Sequence, residues 1–463
     1  MSRALASLPV LAAVALFSSV ALPAHAAEPD MTALRQEIDA MKAEYEARIA
    51  ALEARVAAAE AAQGDSTAAP AQAAEAEMPA EPADPVELAD SGAGESSSGG
   101  TSASANALNP GISVVLNGNY VASSEDPSMA RIPGFALGDE TGPATRGFSL
   151  AESEVTLAAN VDPYLYANLT VAFDGQGEAA VEEAYIQTTA LPNGLTLKGG
   201  RFFSGVGYLN ERHAHNWSFI DMPLPYRAFL GNQYGDDGVQ VRWLAPTDLF
   251  LEFGAEWFRG DSFPAGNGAD RGAGTQTVFV HTGGDISDSS SWLAAASYIH
   301  TRADARETTD PLFGTDVFTG DSDVAIVSGV YKWAPGGNGV QRNLTLSGEA
   351  FFGTESGRFN GIPVESDKTG WYVQGVYQFK PRWSAGLRYA ALDAGKTDPL
   401  LVGTTLDGFG VSAWSATALV EYDSSEFGRF RLQYSRDESD QQPRDELFLQ
   451  YTIVYGPHGA HRY

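Results

Sequence analysis

From Gly111 to the C-terminus the chain alternates apolar and polar residues with a period of two. Over 152–161, ESEVTLAANV, Val155, Leu157, Ala159 and Val161 share one face, and Glu152, Glu154, Thr156 and Asn160 share the other. The pattern recurs. Leu249, Leu251, Phe253, Ala255 and Trp257 oppose Glu252 and Glu256; Leu344, Leu346, Ala350 and Phe352 oppose Asn343, Thr345, Ser347 and Glu349. Trp414, Ala416, Ala418, Val420 and Tyr422 oppose Ser415, Thr417 and Glu421. Strands are predicted to begin near residues 112, 148, 165, 181, 195, 237, 249, 276, 292, 323, 342, 369, 382, 412, 428 and 445, sixteen in all.

Their connections alternate in length. Short turns carry Asp162-Pro163, Pro192-Asn193-Gly194, Ala245-Pro246-Thr247-Asp248, Lys380-Pro381 and Asp423-Ser424-Ser425. Between them run mostly longer connections at 122–147, 203–236, 259–275, 301–322, 353–368 and 393–411, with shorter ones near 175–180 and 437–444. An even strand number with alternating short and long connections is the plan of outer-membrane barrels, with short turns in the periplasm and long loops outside. Aromatics at strand ends add two girdles: Trp333, Phe379, Trp383 and Tyr422 near the short turns, and Trp257, Trp371 and Trp414 near the long loops. The fold class is therefore all-β, a transmembrane antiparallel β-barrel of about sixteen strands spanning 110–463. A soluble sandwich also alternates, but sixteen even strands is large for one.

Three segments precede the barrel. Residues 1–26, MSRALASLPVLAAVALFSSVALPAHA, read as a signal peptide: a positive start at Arg3, an apolar stretch, and a small-x-small site at Ala24-His25-Ala26. Residues 27–63 carry a heptad seam of Leu34, Ile38, Met41, Tyr45, Ile49, Leu52, Val56 and Ala59, with one stutter between Tyr45 and Ile49. So narrow a stripe implies a periplasmic coiled coil and a homo-oligomer, with a trimer the expected state. Residues 64–109, rich in Ala, Pro, Glu, Ser and Gly, bury little and read as a disordered linker.

Composition narrows the function. Of 463 residues, 59 are Asp or Glu against 29 Lys or Arg, a net charge of −30, which argues against nucleic-acid partners. Cysteine is absent, so no disulfide or thiolate site exists. No G-x-S-x-G elbow, H-E-x-x-H helix or Walker loop marks an enzyme. The pairs Glu182-Glu183 and Glu152/Glu154 read, respectively, as opposite faces of one strand and as lumen charges. The chain is thus expected to be a transporter, not an enzyme, with no cofactor, in contact with outer-membrane lipid and small solutes or ions.

The candidate site is the longest connection, 203–236, within RFFSGVGYLNERHAHNWSFIDMPLPYRAFLGNQYGDDG. A barrel of sixteen strands encloses a water-filled bore, and an inward-folded loop is a ready means of narrowing it. Tyr208, Trp217, Phe219, Tyr226 and Phe229 suit packing on the inner wall. Arg212, His213, His215, Asp221 and Arg227 suit the passage. The expected constriction set is Arg212, Trp217, Tyr226 and Arg227, with Glu152, Glu154, Glu252 and Glu256 on the wall. His213-x-His215 with Asp221 is the candidate metal set, zinc being the ion considered; two imidazoles at this spacing meet one ion only on extended backbone, and a third ligand is needed. His458 and His461 form a second pair in the tail.

The stretches NPGISVVLNGNYVAS, IPGFALGDETGPATRGFSLAESEVTLAANVDPYLYANLTVAF and GVQVRWLAPTDLFLEFGAEWFRGDSFPAG, with the loop, resemble a family of bacterial outer-membrane proteins. In architecture the chain is also similar to phosphate-selective and carbohydrate porins. Some relatives in that family carry the label of zinc-regulated TonB-dependent outer-membrane receptor, which implies energised uptake of a metal or metallophore. Such receptors place a plug before a barrel of 22 strands; here a helix and a linker precede sixteen. The sequence therefore favours a passive channel for small hydrophilic solutes. The alternatives are a receptor for a metal ion or chelate, and an envelope tether working through the coiled coil.

Overall fold

The computed structural model describes residues 110–138, 141–175, 177–266 and 272–456. The expected signal peptide, coiled coil and linker, and the tail histidines 458 and 461, lie outside them. The ordered strands are β1 (Gly111–Ser123), β2 (Gly147–Ser149), β3 (Ser153–Asp162), β4 (Leu165–Phe173), β5 (Ala179–Thr188), β6 (Leu195–Phe203), β7 (Gly235–Leu244), β8 (Phe250–Phe258) and β9 (Thr275–Ser287). They continue as β10 (Ser290–Asp310), β11 (Gly314–Trp333), β12 (Asn343–Phe359), β13 (Ile362–Lys380), β14 (Trp383–Asp393), β15 (Trp414–Ser425), β16 (Gly428–Asp437) and β17 (Arg444–Tyr455). Segments β2 and β3 pair with the same strand, β1, at successive heights and form one stave interrupted near Ala151, whose φ is +42°. Seventeen segments thus make sixteen staves.

Every stave is antiparallel to its neighbours in chain order, and β17 pairs with β1 from Val114↔Tyr455 to Ser123↔Glu446. The ring is closed, which removes the free edges that an open sheet would expose in lipid. Closure is complete by Tyr455. All sixteen expected staves are present, although β11 and β13 begin at Gly314 and Ile362, well before the expected starts near 323 and 369.

The alternation also sets the faces. On β13, Trp371, Val373, Tyr377 and Phe379 point outward and are exposed, while Tyr372 and Gln374 are buried inside. Trp371 and Phe379 are eight residues apart, about 27 Å along a strand and about 20 Å along the normal at the usual tilt, which fits an apolar band about 25 Å tall. Trp371, Tyr389 and Trp414 lie side by side at the upper level, with centroids 5.6 and 5.8 Å apart. Trp383 and Tyr422 meet at 4.8 Å on the lower level. Among the described residues no helix is long and apolar enough to cross a membrane; the crossing elements are strands.

Two of the connections expected to be long are not loops. Residues 301–322 continue β10 and β11 as far as a turn at 311–313, and 353–368 continue β12 and β13 as far as a turn at 360–361. Asn360 (φ +49°) and Gly361 (φ +80°) form a two-residue hairpin turn, the pair of positive φ values for which Asn-Gly is preferred. Above the lipid these extended staves enclose a second core of Ala136, Ala303, Phe318, Phe359, Val364, Leu401 and Leu406. Residues 124–146 and 394–413 cross to supply Ala136, Leu401 and Leu406, which repays extending the wall beyond the membrane. The long connection 203–236 is real and lies inside the ring.

Candidate functional site

The loop crosses the bore. In the ring order β4 and β12 are eight staves apart, so β5 and β12 stand on nearly opposite sides. His213 meets the wall at β5, with Nδ1 3.0 Å from Glu182 and Nε2 3.0 Å from Glu183. On β12, Glu349 accepts from the Tyr208 backbone N–H at 2.7 Å and the Tyr226 hydroxyl at 2.8 Å. It also accepts from Ser328 and Tyr372, both at 2.6 Å, and is itself buried. A carboxylate with this many donors is an anchor rather than a passage charge.

A short helix, α1 (Leu224–Leu230), seats this side of the loop. Pro225 starts it and Gly231, at φ +64°, ends it in the left-handed conformation. Phe229 of α1 lies on Phe351, rings 5.7 Å apart, over a stretch of wall paved with glycine. A Cβ on Gly353 would stand 2.5 Å from the Phe229 ring, and one on Gly370 3.0 Å from it. Ile132 and Phe135 from 124–146 join Met222, Leu224, Leu230, Tyr234, Phe258, Ile326 and Leu392 in one buried cluster. Part of the bore is therefore packed with apolar side chains.

A third side is held by arginines. Arg388 on β14 donates to the Asp221 carboxylate at 2.7 Å and to the Asp221 carbonyl. Arg431 on β16 donates to the Trp217 carbonyl at 2.8 Å, and Arg429 donates to the His215 carbonyl. The arginines of this wall thus grip backbone carbonyls of the loop, which a planar, multi-donor cation does well.

The sequence-predicted residues sort as follows. His213 and His215 come together, their rings stacked with centroids 5.8 Å apart. Asp221 does not join them: it is bound to Arg388 and, at 2.6 Å, to Gln433. The carboxylates at the histidines are Glu154, Glu182 and Glu183 instead. Tyr226 is fully buried on Glu349, and Glu256 is fully buried among Ser204, Gly205, Gln240 and Thr277; neither faces a passage. Glu252 is buried beside Arg242 and His281, 3.4 and 3.3 Å away. Arg227 spans Asp437 at 3.3 Å and the Thr141 carbonyl at 3.2 Å. Arg212 covers the Tyr208 ring, and its carbonyl accepts from the Trp217 indole at 2.6 Å.

Glu182 and Glu183 do not fall on opposite faces as strict alternation requires. The β4–β5 register shifts there, with Thr170 paired to Glu183 and Val171 to Val181. Glu182 is the extra residue of a β-bulge, and the bulge turns both carboxylates toward His213. Burial alone would depress the His213 imidazole; the hydrogen bonds it donates to Glu182 and Glu183 and the nearby Glu154 charge hold its pKa well above the usual histidine range.

No family model matches the chain. A protein of Aquifex aeolicus described as uncharacterized is 28% identical over 389 residues, covering 76% of this chain and 79% of that one. Among solved structures, an anion-selective porin from Comamonas acidovorans has 9% identity and a TM-score of 0.47, covering 74% of this chain and 98% of its own. OmpF of Salmonella typhi, in complex with daunomycin, has 12% identity and a TM-score of 0.47, covering 76% and 99%. A loop-deletion mutant of OmpT, an outer-membrane protein of Vibrio cholerae, has 13% identity and a TM-score of 0.47, covering 74% and 98%. The TonB-dependent receptor label finds no support, since the ring closes on sixteen staves rather than 22. By its closed ring, outward apolar face and two aromatic levels, this chain is an antiparallel β-barrel of the outer membrane.

Proposed function

We propose that the barrel is a passive channel for small hydrophilic solutes and that loop 203–236 is its constriction. The observation that carries this reading is the loop's double attachment: His213 to Glu182 and Glu183 on one side, Tyr208 and Tyr226 to Glu349 on the other. A segment held across a bore sets what passes by its width and its charges. Acidic residues outnumber basic ones in the chain, so the channel has a mild cation preference. The working unit is a homotrimer, with the heptad seam of 27–63 holding its protomers together.

The test is single-channel conductance of the purified full chain in planar bilayers, beside a variant lacking residues 209–229. The expected result is discrete, ohmic steps that grow several-fold when the loop is removed. Silence from both proteins, with the barrel folded, would sink the proposal.

A further inference from the structure

The loop brings one imidazole and two carboxylates to a common point. His213 Nδ1, Glu154 and Glu182 each offer one ligand atom, all within 4.8 Å of one another. His213 Nδ1 is 3.4 Å from Glu154 Oε2 and 3.0 Å from Glu182 Oε2. Donors about 2.1 Å from a tetrahedral ion stand about 3.4 Å apart, so an ion fits with small side-chain shifts. We propose that His213, Glu154 and Glu182 bind one divalent transition-metal ion, and that this ion clasps the loop to the wall.

Three independent features point to a metal rather than to an ordinary ion pair. The first is the outer support. His213 Nε2 lies 3.0 Å from Glu183 Oε2, so with Nδ1 on the metal the Nε2–H donates to a carboxylate that fixes ring and tautomer. His215 Nδ1 lies 2.9 Å from Glu154 Oε1, the other oxygen of that carboxylate, and holds it in place. The second is the wall's departure from regularity. Glu182 is the bulged residue of β5, and Glu154 follows the β2–β3 break at Ala151. Bulges cluster where a sheet must re-aim a side chain. The third is charge. Glu154, Glu182 and Glu183 are each at most about one-tenth exposed. Three carboxylates gathered out of water need more positive charge than the one imidazole between them can carry, and a dication that displaces the Nδ1 proton supplies it.

The donor set indicates the ion. Imidazole with carboxylates suits zinc, iron, cobalt or nickel, and the absence of thiolate disfavours monovalent copper. Three protein donors leave a position for water or for a ligand arriving through the bore. Two donors sit on the wall and one on the loop, so the site exists only while the loop is seated, and the ion favours the seated loop. The inference goes beyond passive conduction and stands or falls on its own measurement.

The test uses the full chain in detergent, without an affinity tag and with His458→Ala and His461→Ala, titrated with Co²⁺ by calorimetry and visible absorption. The expected result is one saturable Co²⁺ per chain with a visible absorption band. His213→Ala and Glu182→Gln should each weaken binding at least tenfold, and Glu183→Gln should weaken it while keeping the band. His300→Ala, at an outward pair with Asp323, should bind as the parent does. No saturable Co²⁺ on the folded parent would overturn the proposal, as would binding that His213→Ala and Glu182→Gln leave unchanged. Should a variant fail to give the heat-modifiable folded band on gels, competition of Zn²⁺ with Co²⁺ on the parent, read as loss of the absorption band, decides instead: no displacement counts against the site.

Discussion

The phenol of Tyr226 and the carboxylate of Glu349 stand 123 positions apart in sequence and 2.8 Å apart in the barrel. Tyr226 belongs to α1 on the loop and Glu349 to the wall strand β12, so this one hydrogen bond ties the obstruction to its frame. Glu349 also serves Tyr208, Ser328 and Tyr372. Glu349→Ala would strip several buried donors of their acceptor at once, each costing about 1–3 kcal/mol. The ring itself, closed by its own ladder, should survive. The expected outcome is a folded, heat-modifiable barrel whose loop is cut by added protease within 203–236 and whose conductance is larger and noisier. A loop as resistant as the parent's would refute the anchoring role.

The glycines beneath Phe229 make a second prediction. Gly353 and Gly370 leave no room for a side chain under that ring. Gly353→Val places branched carbon where Phe229 now lies, and overpacking of this kind costs about 1–3 kcal/mol. Because α1 is only seven residues long, it should lift off the wall rather than deform it. Protease sensitivity in the loop should rise as in Glu349→Ala. The compensating change Phe229→Ala in the same chain should restore part of the resistance; no rescue at all would show that the contact is not what seats the helix.

The lipid face is tested at Val373, half exposed between the two aromatic levels of β13. Val373→Arg puts a cation a quarter of the way from Trp371 to Phe379, where the cost falls between the roughly 0–1 kcal/mol of the interface and the roughly 2–4 kcal/mol of the midplane. Reversible guanidinium unfolding from lipid vesicles should show that loss. A change within experimental error would mean that Val373 does not face hydrocarbon.

How much of this was legible in the sequence follows from the period of each signal. Strict alternation names all sixteen staves and puts Glu252, Glu349 and Glu421 inside, because a residue in a regular strand has one of two faces. It fails wherever the strand is irregular. At Glu182 the bulge breaks the count, so a residue that alternation assigns to lipid reaches His213 instead. Asn360-Gly361 was a readable hairpin signal inside 353–368, a segment expected to be a long connection. The loop's aromatics were readable as wall-packing groups. Their partners Glu349, Arg388 and Arg431 were not, since contacts between residues more than a hundred positions apart leave no local pattern. Asp221 was placed with the histidines by proximity in sequence, whereas chain direction carries it to Arg388.

Arg388 supplies the last prediction, about charge selection. Its guanidinium covers the Phe219 ring at 4.8 Å and neutralises Asp221, whose side chain keeps partial access to solvent. Arg388→Met keeps the apolar stem over Phe219 and removes one positive charge, while Gln433 continues to hold the Asp221 carboxylate at 2.6 Å. The uncompensated carboxylate then faces the bore and attracts cations. In a potassium chloride gradient the reversal potential should move toward that of potassium. Screening lengths fall from about 10 Å at 0.1 M to about 3 Å at 1 M, so the displacement should be large at low salt and small at high salt. A displacement of the opposite sign, or one independent of salt, would show that Asp221 and Arg388 do not border the conducting path.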